Sequence, residues 1–218
     1  MPATAAPVFD DLARELLIAT PPTWHALDLD PERRAQVVAN LVDEVAGGRD
    51  ELAAIRHELR TTLRETIADA VDNGAFFVAL MVDIARGVPV SASVVASLAP
   101  LGRDDDGKPL GDPESMADAL AKGGGWRPED VSIVDLAIGR ATRVRRRAGM
   151  GLISEEGLEV DAESVQFFVP LEDTPGRMLA LSFSTPTVAV ADVFVELFDV
   201  IAGAARWADD RREGGSGG

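Results

Sequence analysis

The residues that decide the fold are VQFFVPLEDTPGRMLALSFSTP, Val165 to Pro186. The segments VQFFVP and MLALSF are rich in Val, Leu and Phe, as β-strands are, and EDTPG (172–176) between them carries the Pro-Gly signal of a turn. Together they predict a β-hairpin. An apolar segment follows and predicts a helix that ends near Trp207.

This last helix has the pattern of an amphipathic helix that covers a sheet. Thr185 is predicted as its N-cap and Pro186 as its first helical residue. Helical spacing puts one set of apolar residues on the core face: Val190, Phe194, Leu197, Phe198 and Ile201. The acids Asp192, Glu196 and Asp199 are expected to face water. We therefore expect the helix to close the domain.

Other strands and a helix precede this unit. Runs of β-formers predict strands at Trp24–Leu29, Ala75–Ile84, Val88–Leu98, Val131–Leu136 and Gly139–Arg147. A short helix is predicted over Glu114–Ala121, with loops at 100–113 and 149–157. The segment LLIAT (16–20) fits either the end of a helix that begins at Val8 or a strand.

A pair of helices is predicted over about residues 30–73. Asp30-Pro31 is a good helix start, and Gly47-Gly48 ends the first helix. The second helix carries apolar residues at every fourth position: Ile55, Leu59, Leu63, Ile67 and Val71. Each step of four residues turns the ridge about 40° further around the helix axis, so its two ends face different neighbours. The first half is expected to pack on the preceding helix and the second half on a sheet.

These elements predict an α+β fold. We expect a single antiparallel sheet of about six to seven strands, with flanking helices against one face and at the ends of the sheet. Residues 1–208 form one domain in this interpretation, and the helical pair is inserted between the first strands and the central sheet. The Gly-Ser tail, 209–218, has the composition of a flexible linker.

Composition excludes several classes of function. The net charge of −16 opposes binding to nucleic acid or to an anionic membrane surface. Absence of cysteine excludes disulfides, thiolate metal sites and a Cys nucleophile. No signal peptide and no membrane-spanning run is visible, so a cytoplasmic location is expected. Only Lys108 and Lys122 are lysines among 21 basic residues, a bias that indicates a high-GC bacterium.

The order of elements resembles the PsbP-like α+β fold. The resemblance is carried by PPTW (21–24), by the hairpin strands 165–169 and 178–183, and by the helix that starts at Thr185-Pro186. An actinobacterial member of that kind is the closest description. Proteins of this fold are functionally mixed and mostly non-catalytic, so the resemblance implies an accessory role and no particular site residue.

No motif predicts catalysis, a cofactor or a metal. His25 and His57 belong to no catalytic motif, and structural or surface roles are expected for both. A calcium loop starting at Asp104 would have Pro109 where Gly is needed and Ser115 where the bidentate Glu is needed. Lys122-Gly-Gly-Gly lacks the residues of a phosphate loop. The pairs Glu155-Glu156 and Asp161/Glu163 are expected to be solvated loop acids.

Two arginine rows are the candidate binding residues. Arg56, Arg60 and Arg64 recur at i, i+4 on the long helix, where like charges cost about 0.2–0.5 kcal/mol per pair. Arg143, Arg145 and Arg147 share one face of a strand, with Thr142, Val144 and Arg146 on the other. Each row either pairs with acids of other elements, solvates an outer face, guards a sheet edge, or docks an acidic partner or anionic ligand.

The sequence therefore predicts a non-enzymatic binding or accessory module that acts through protein–protein contacts. The alternative is a small-ligand binder or enzyme with a pocket between the sheet and the helices. A homo-oligomer built on the ridge of the long helix is a third hypothesis.

Overall fold

A large antiparallel sheet organises the chain. The computed structural model describes residues 16–46, 64, 67–85, 88–104, 106–122, 130–153, 159–172, 174 and 176–208. Nine strands lie within these residues: β1 (Leu16–Leu17), β2 (Trp24–Ala26), β3 (Ala75–Ala85), β4 (Val88–Pro100), β5 (Val131–Leu136), β6 (Gly139–Ile153), β7 (Glu159–Pro170), β8 (Arg177–Thr185) and β9 (Arg206–Trp207).

Seven strands form the main sheet, in the order β2-β3-β4-β8-β7-β6-β5, and β1 pairs with β9 in a separate ribbon. Every strand pair in the two sheets is antiparallel. The predicted α+β fold with an antiparallel sheet and flanking helices is confirmed. LLIAT contributes the strand β1, and the predicted strand at Trp24 is shorter than expected.

The described helices are α1 (Pro31–Ala46), the helical residues 67–72, α2 (Pro113–Lys122) and α3 (Ala191–Ala204). The predicted start of α1 is confirmed, since the Asp30 carboxylate accepts the Glu32 N–H at 2.9 Å. Asp112 caps α2 in the same way, accepting the Ser115 N–H at 2.7 Å. Residues 47–63, which include Gly47-Gly48 and the first half of the predicted ridge, lie outside the described residues.

One face of the sheet packs on α3. Aromatic rings from strand and helix form the centre of this core, with Phe183 and Phe198 stacked at a centroid distance of 5.1 Å. Phe167 meets Phe183 edge-on at 5.9 Å. Such ring pairs contribute about 0.5–1.5 kcal/mol beyond the area they bury. The predicted core residues Phe194, Phe198 and Ile201 are buried here.

The opposite face carries the other helices that the structure describes, which corrects the expectation of helices against one face and at the ends of the sheet. Val38 and Val42 of α1, with Ile67, pack on Ala75 and Val78 of β3. Strand β3 is apolar on both faces, because Ala79 and Met81 point into the α3 core while Val78 points away from it. The sheet therefore needs a cover on each side.

The predicted start of the last helix is wrong. Thr185 is the last residue of β8, where it pairs with Glu163, and its hydroxyl donates to the Ser91 carbonyl at 2.7 Å. A short 3₁₀ turn, Val188–Val190, then precedes α3, so Pro186 is not helical. Val190 lies in that turn and is 41% exposed, although core burial was predicted for it.

The predicted loop at 149–157 is also corrected. Strand β6 continues to Ile153 and β7 begins at Glu159, so the two strands form a longer hairpin than expected. The register is irregular between Gly149 and Ile153. A run with small residues at 148, 149 and 151 carries little strand signal of its own, and the pairing with β7 extends it.

Candidate functional site

The predicted arginine face of β6 lies under α3. Strand alternation places Arg143 and Arg145 on the same side as Ala141, which is buried in the α3 core. Arg143 donates two hydrogen bonds to Asp199 of α3, Nε–Oδ1 at 2.7 Å and Nη2–Oδ2 at 2.9 Å. Its guanidinium also lies 6.0 Å from the centre of the Phe167 ring. This is a bidentate pair between sheet and helix.

A buried carboxylate links the other two arginines of the strand. The Glu163 side chain on β7 is only 2% exposed and accepts from Arg145 Nε at 2.5 Å and from Arg147 Nε at 2.8 Å. A charge removed from water in this way requires such partners. Glu163 was expected to be a solvated loop acid. It lies inside a strand, opposite Arg147 in register, and that expectation is corrected.

Arg145 also reaches the helix. Its Nη2 donates to Asp192 Oδ1 of α3 at 2.6 Å. The hydrogen bond to Glu163, followed by that to Asp192, raises the pKa of Arg145 above its ordinary value. The hydrogen bond from Arg145, and then its charge, lower the pKa of Asp192 below 3.8. Both groups stay ionised at neutral pH.

The acids Asp192 and Asp199 were predicted only to face water, and the structure gives both of them a second role. They attach α3 to β6, and with Glu163 they balance the three strand arginines charge for charge. Of the four possibilities for this row, pairing with acids of other elements is the one observed. A role for Arg143, Arg145 and Arg147 in binding a partner stays a prediction.

The second predicted arginine row lies far from this network in sequence and is only partly described. The exposed Arg64 donates to the Ala35 carbonyl of α1 at 3.3 Å. Arg56 and Arg60 lie outside the described residues. The structure therefore does not bring the two predicted arginine rows together within the part of the chain it describes.

The solvent side of α3 carries two exposed valines, a feature that the sequence did not predict. Val193 and Val200 are 67% and 66% exposed, and both lie on the side of the helix away from the buried Phe198. Val193, Leu197, Val200 and Ala204 follow i, i+4, i+7, i+11 spacing, and we name them the outer stripe. Leu197 is half-buried and packs against the core, as predicted, so the exposed members of the stripe are Val193, Val200 and Ala204. Asp192, Glu196 and Asp199 run along one side of it. An exposed apolar patch beside polar residues is a candidate contact surface.

A row of half-buried hydroxyls lies on the opposite face of the sheet. Ser93 of β4 and Ser184 of β8 share a hydrogen bond of 2.8 Å between their hydroxyls. Gln166 of β7 donates to the Ser182 hydroxyl at 3.3 Å. We name these residues, with Ser164 beside Ser184 in register, the serine row. These residues lie on β4, β8 and β7, the strands between β3 and β6. Strand β3 packs on α1. Strand β6 contacts α2, because the Thr142 hydroxyl donates to the Pro113 carbonyl.

The remaining candidates are explained by local contacts or lie outside the described residues, as Glu155-Glu156 and Gly123-Gly-Gly do. His25 is half-buried on β2, opposite Leu80, and His57 lies outside the described residues. Asp104 accepts the N–H groups of Asp106 and Lys108 and so closes its own turn. Among the described residues, His, Asp and Glu form no cluster of three that could hold a metal ion. None of the helices described has the length and apolar character needed to cross a bilayer.

No family model and no curated protein matches the chain.

Proposed function

We propose that this protein is a non-enzymatic binding module and that the outer stripe of α3 is its docking surface. The observation that carries the proposal is the exposure of Val193 and Val200, two-thirds each, on a helix whose other side is already buried. Covering an exposed Val side chain contributes up to about 1.5–3 kcal/mol, so a partner that buries both gains appreciable affinity.

The arginine network supports this function by fixing the helix. Arg143 and Arg145 attach to Asp199 and Asp192, which lie seven residues apart, or about two turns of α3. A helix held at two points keeps its outer side in a defined position. Such preorganisation lowers the entropy that a partner must overcome on binding. In this proposal the predicted strand arginines act by positioning the docking helix, and the resemblance to PsbP-like accessory proteins points the same way.

The experiment is a quantitative pull-down with the full chain as bait. Val193→Asp and Val200→Asp are compared with Ala121→Asp, which adds the same charge at an exposed site of α2, on the other face of the sheet. We expect partners retained by the wild type and by Ala121→Asp to be lost with both valine variants. Equal retention by all four proteins would rule out the outer stripe as the docking surface.

The serine row supports a second candidate, a binder of a small polar ligand. Its half-buried hydroxyls and the Gln166 amide offer hydrogen-bond donors and acceptors on the sheet face between α1 and α2. This candidate is tested by screening a library of small polar compounds for those that raise the melting temperature of the protein. A ligand that stabilises the wild type and fails to stabilise Ser184→Val would support it, and the absence of any stabilising compound would count against it.

A further inference from the structure

We infer that the occupant of the outer stripe is a cationic amphipathic helix, with an apolar side that covers Val193, Leu197 and Val200 and with lysine or arginine along one flank. This inference rests on the proposed function and adds the shape and charge of the partner.

The shape of the stripe argues for a helix. Residues at i, i+4, i+7 and i+11 form a ridge, and ridges of one helix pack into grooves of another. Gly203 and Ala204 are both exposed at the end of α3, and their small size allows a second backbone to come close there. An added β-strand would instead need unpaired main-chain groups, which a helix surface does not provide.

The charge beside the stripe argues for a cationic flank. Asp192, Glu196 and Asp199 form an acidic row along one side of the valines. Arg145 and Arg143 occupy Asp192 and Asp199, whereas Glu196 makes no ion pair with any described residue. Glu196 is exposed and lies one helical turn from both Val193 and Val200. A partner that covers the valines places its own flank at this carboxylate, and the net charge of −16 attracts cationic partners at longer range.

The same negative charge argues against a second copy of this chain as the occupant of the outer stripe. In an antiparallel two-fold contact, the residues at the centre of the stripe meet their own counterparts, and in any two-fold contact two chains of net charge −16 come together. The midpoint between Val193 and Val200 falls at Glu196 and Leu197. The two Glu196 carboxylates would therefore meet at the axis of the antiparallel contact, in a dimer with twice the negative charge. A cationic helix replaces that repulsion with attraction.

Two synthetic helical peptides test this. They share one apolar side, with Leu at i, i+4, i+7 and i+11, and differ only in flanks of Lys and Arg or of Glu. Fluorescence anisotropy measures their affinity for the full chain at low and high salt. We expect the cationic peptide to bind at least tenfold more tightly than the anionic peptide, with a difference that shrinks at high salt. Val200→Asp should abolish binding, and Glu196→Gln should weaken the cationic peptide several-fold. Asp118→Asn on α2 is the matched control and should change nothing.

Three results would overturn the inference: equal binding of the two peptides, binding of neither, or self-association of the wild type that Val200→Asp removes in sedimentation velocity. Failure of the proposed function is a separate outcome. If the valine variants lose their cellular partners while neither peptide binds, the docking surface stands and the chemistry assigned to the partner is wrong. If the valine variants retain both partners and peptide, the docking surface itself is wrong.

Discussion

Arg143 of β6 and Asp199 of α3 form a two-point ion pair that joins the sheet to the last helix, at 2.7 and 2.9 Å. The Arg143 side chain is 17% exposed and Asp199 is 43% exposed, so the pair is partly shielded from water. Its strength bears directly on how firmly α3 is positioned.

A double-mutant cycle with Arg143→Met and Asp199→Asn measures the coupling of this pair. We expect about 1 kcal/mol in the free energy of unfolding, since the geometry is bidentate but solvent still screens Asp199. Arg140 and Glu114 form the matched exposed pair, at 56% and 50% exposure, and their coupling should stay below about 0.5 kcal/mol. A coupling no larger than that of the exposed pair would contradict the assignment of Arg143 as a positioning residue.

Replacement of the buried Glu163 by Gln should destabilise the protein. The substitution keeps the shape but removes the charge that Arg145 and Arg147 share. Because both arginines retain some contact with water, we expect a loss of about 1–3 kcal/mol by urea denaturation. Glu172→Gln, an exposed glutamate of the same hairpin, is the control and should change stability by less than about 0.5 kcal/mol. Equal effects of the two substitutions would show that Glu163 is not paired as described.

The cap of α2 gives an independent prediction about stability. Asp112 accepts the Ser115 N–H and hydroxyl at 2.7 and 2.8 Å, which satisfies a free backbone donor of the first turn. Asp112→Ala should lower the free energy of unfolding by about 1 kcal/mol. Asp118→Ala, at an exposed site further along the helix, is the control and should have little effect. A similar loss from both substitutions would point to general charge effects instead of capping.

The carboxyl of Asp192 should titrate at unusually low pH. Its pKa lies below the ordinary 3.8 because Arg145 donates a hydrogen bond to it and, secondly, because Arg145 is charged. A carboxyl with a pKa lowered by folding stabilises the fold above its unfolded pKa, and this contribution disappears as the pH falls through the lower, folded pKa. Carboxyl ¹³C NMR should give a midpoint below 3.8 for Asp192, and Arg145→Met should shift it back upwards.

Asp112 is the internal control for that titration. Its pKa is also lowered, first by the Ser115 backbone N–H and then by the Ser115 hydroxyl, neither of which involves Arg145. Its midpoint should be the same in Arg145→Met and in the wild type. An Asp192 midpoint that is unchanged by Arg145→Met would contradict the ion pair between β6 and α3.

The sequence predicted the sheet well because strand alternation is local. The period of two placed Arg143 and Arg145 on one face of β6 before any partner was known, and the structure confirms that face. The partners could not be predicted in the same way. Glu163 lies 16 residues from Arg147, and only the register of the β6–β7 hairpin brings the two side chains together.

The errors at the last helix have a similar cause. Thr185 and Pro186 have the local pattern of a helix start, but pairing with Glu163 keeps Thr185 in the sheet and delays the helix to Ala191. The outer stripe was missed because α3 is apolar on most sides, so periodicity alone could not separate Val193 from core residues such as Phe194. Tertiary contacts decide both points.

The most direct test of the docking surface measures stability and partner retention on the same variant, Val193→Ser/Val200→Ser. Because both side chains are about two-thirds exposed, the free energy of unfolding should change by less than about 1 kcal/mol, whereas Val195→Ser at a buried site should cost clearly more. The double variant should lose the partners that wild type retains in the pull-down. Full retention of those partners by a stably folded double variant would contradict the account.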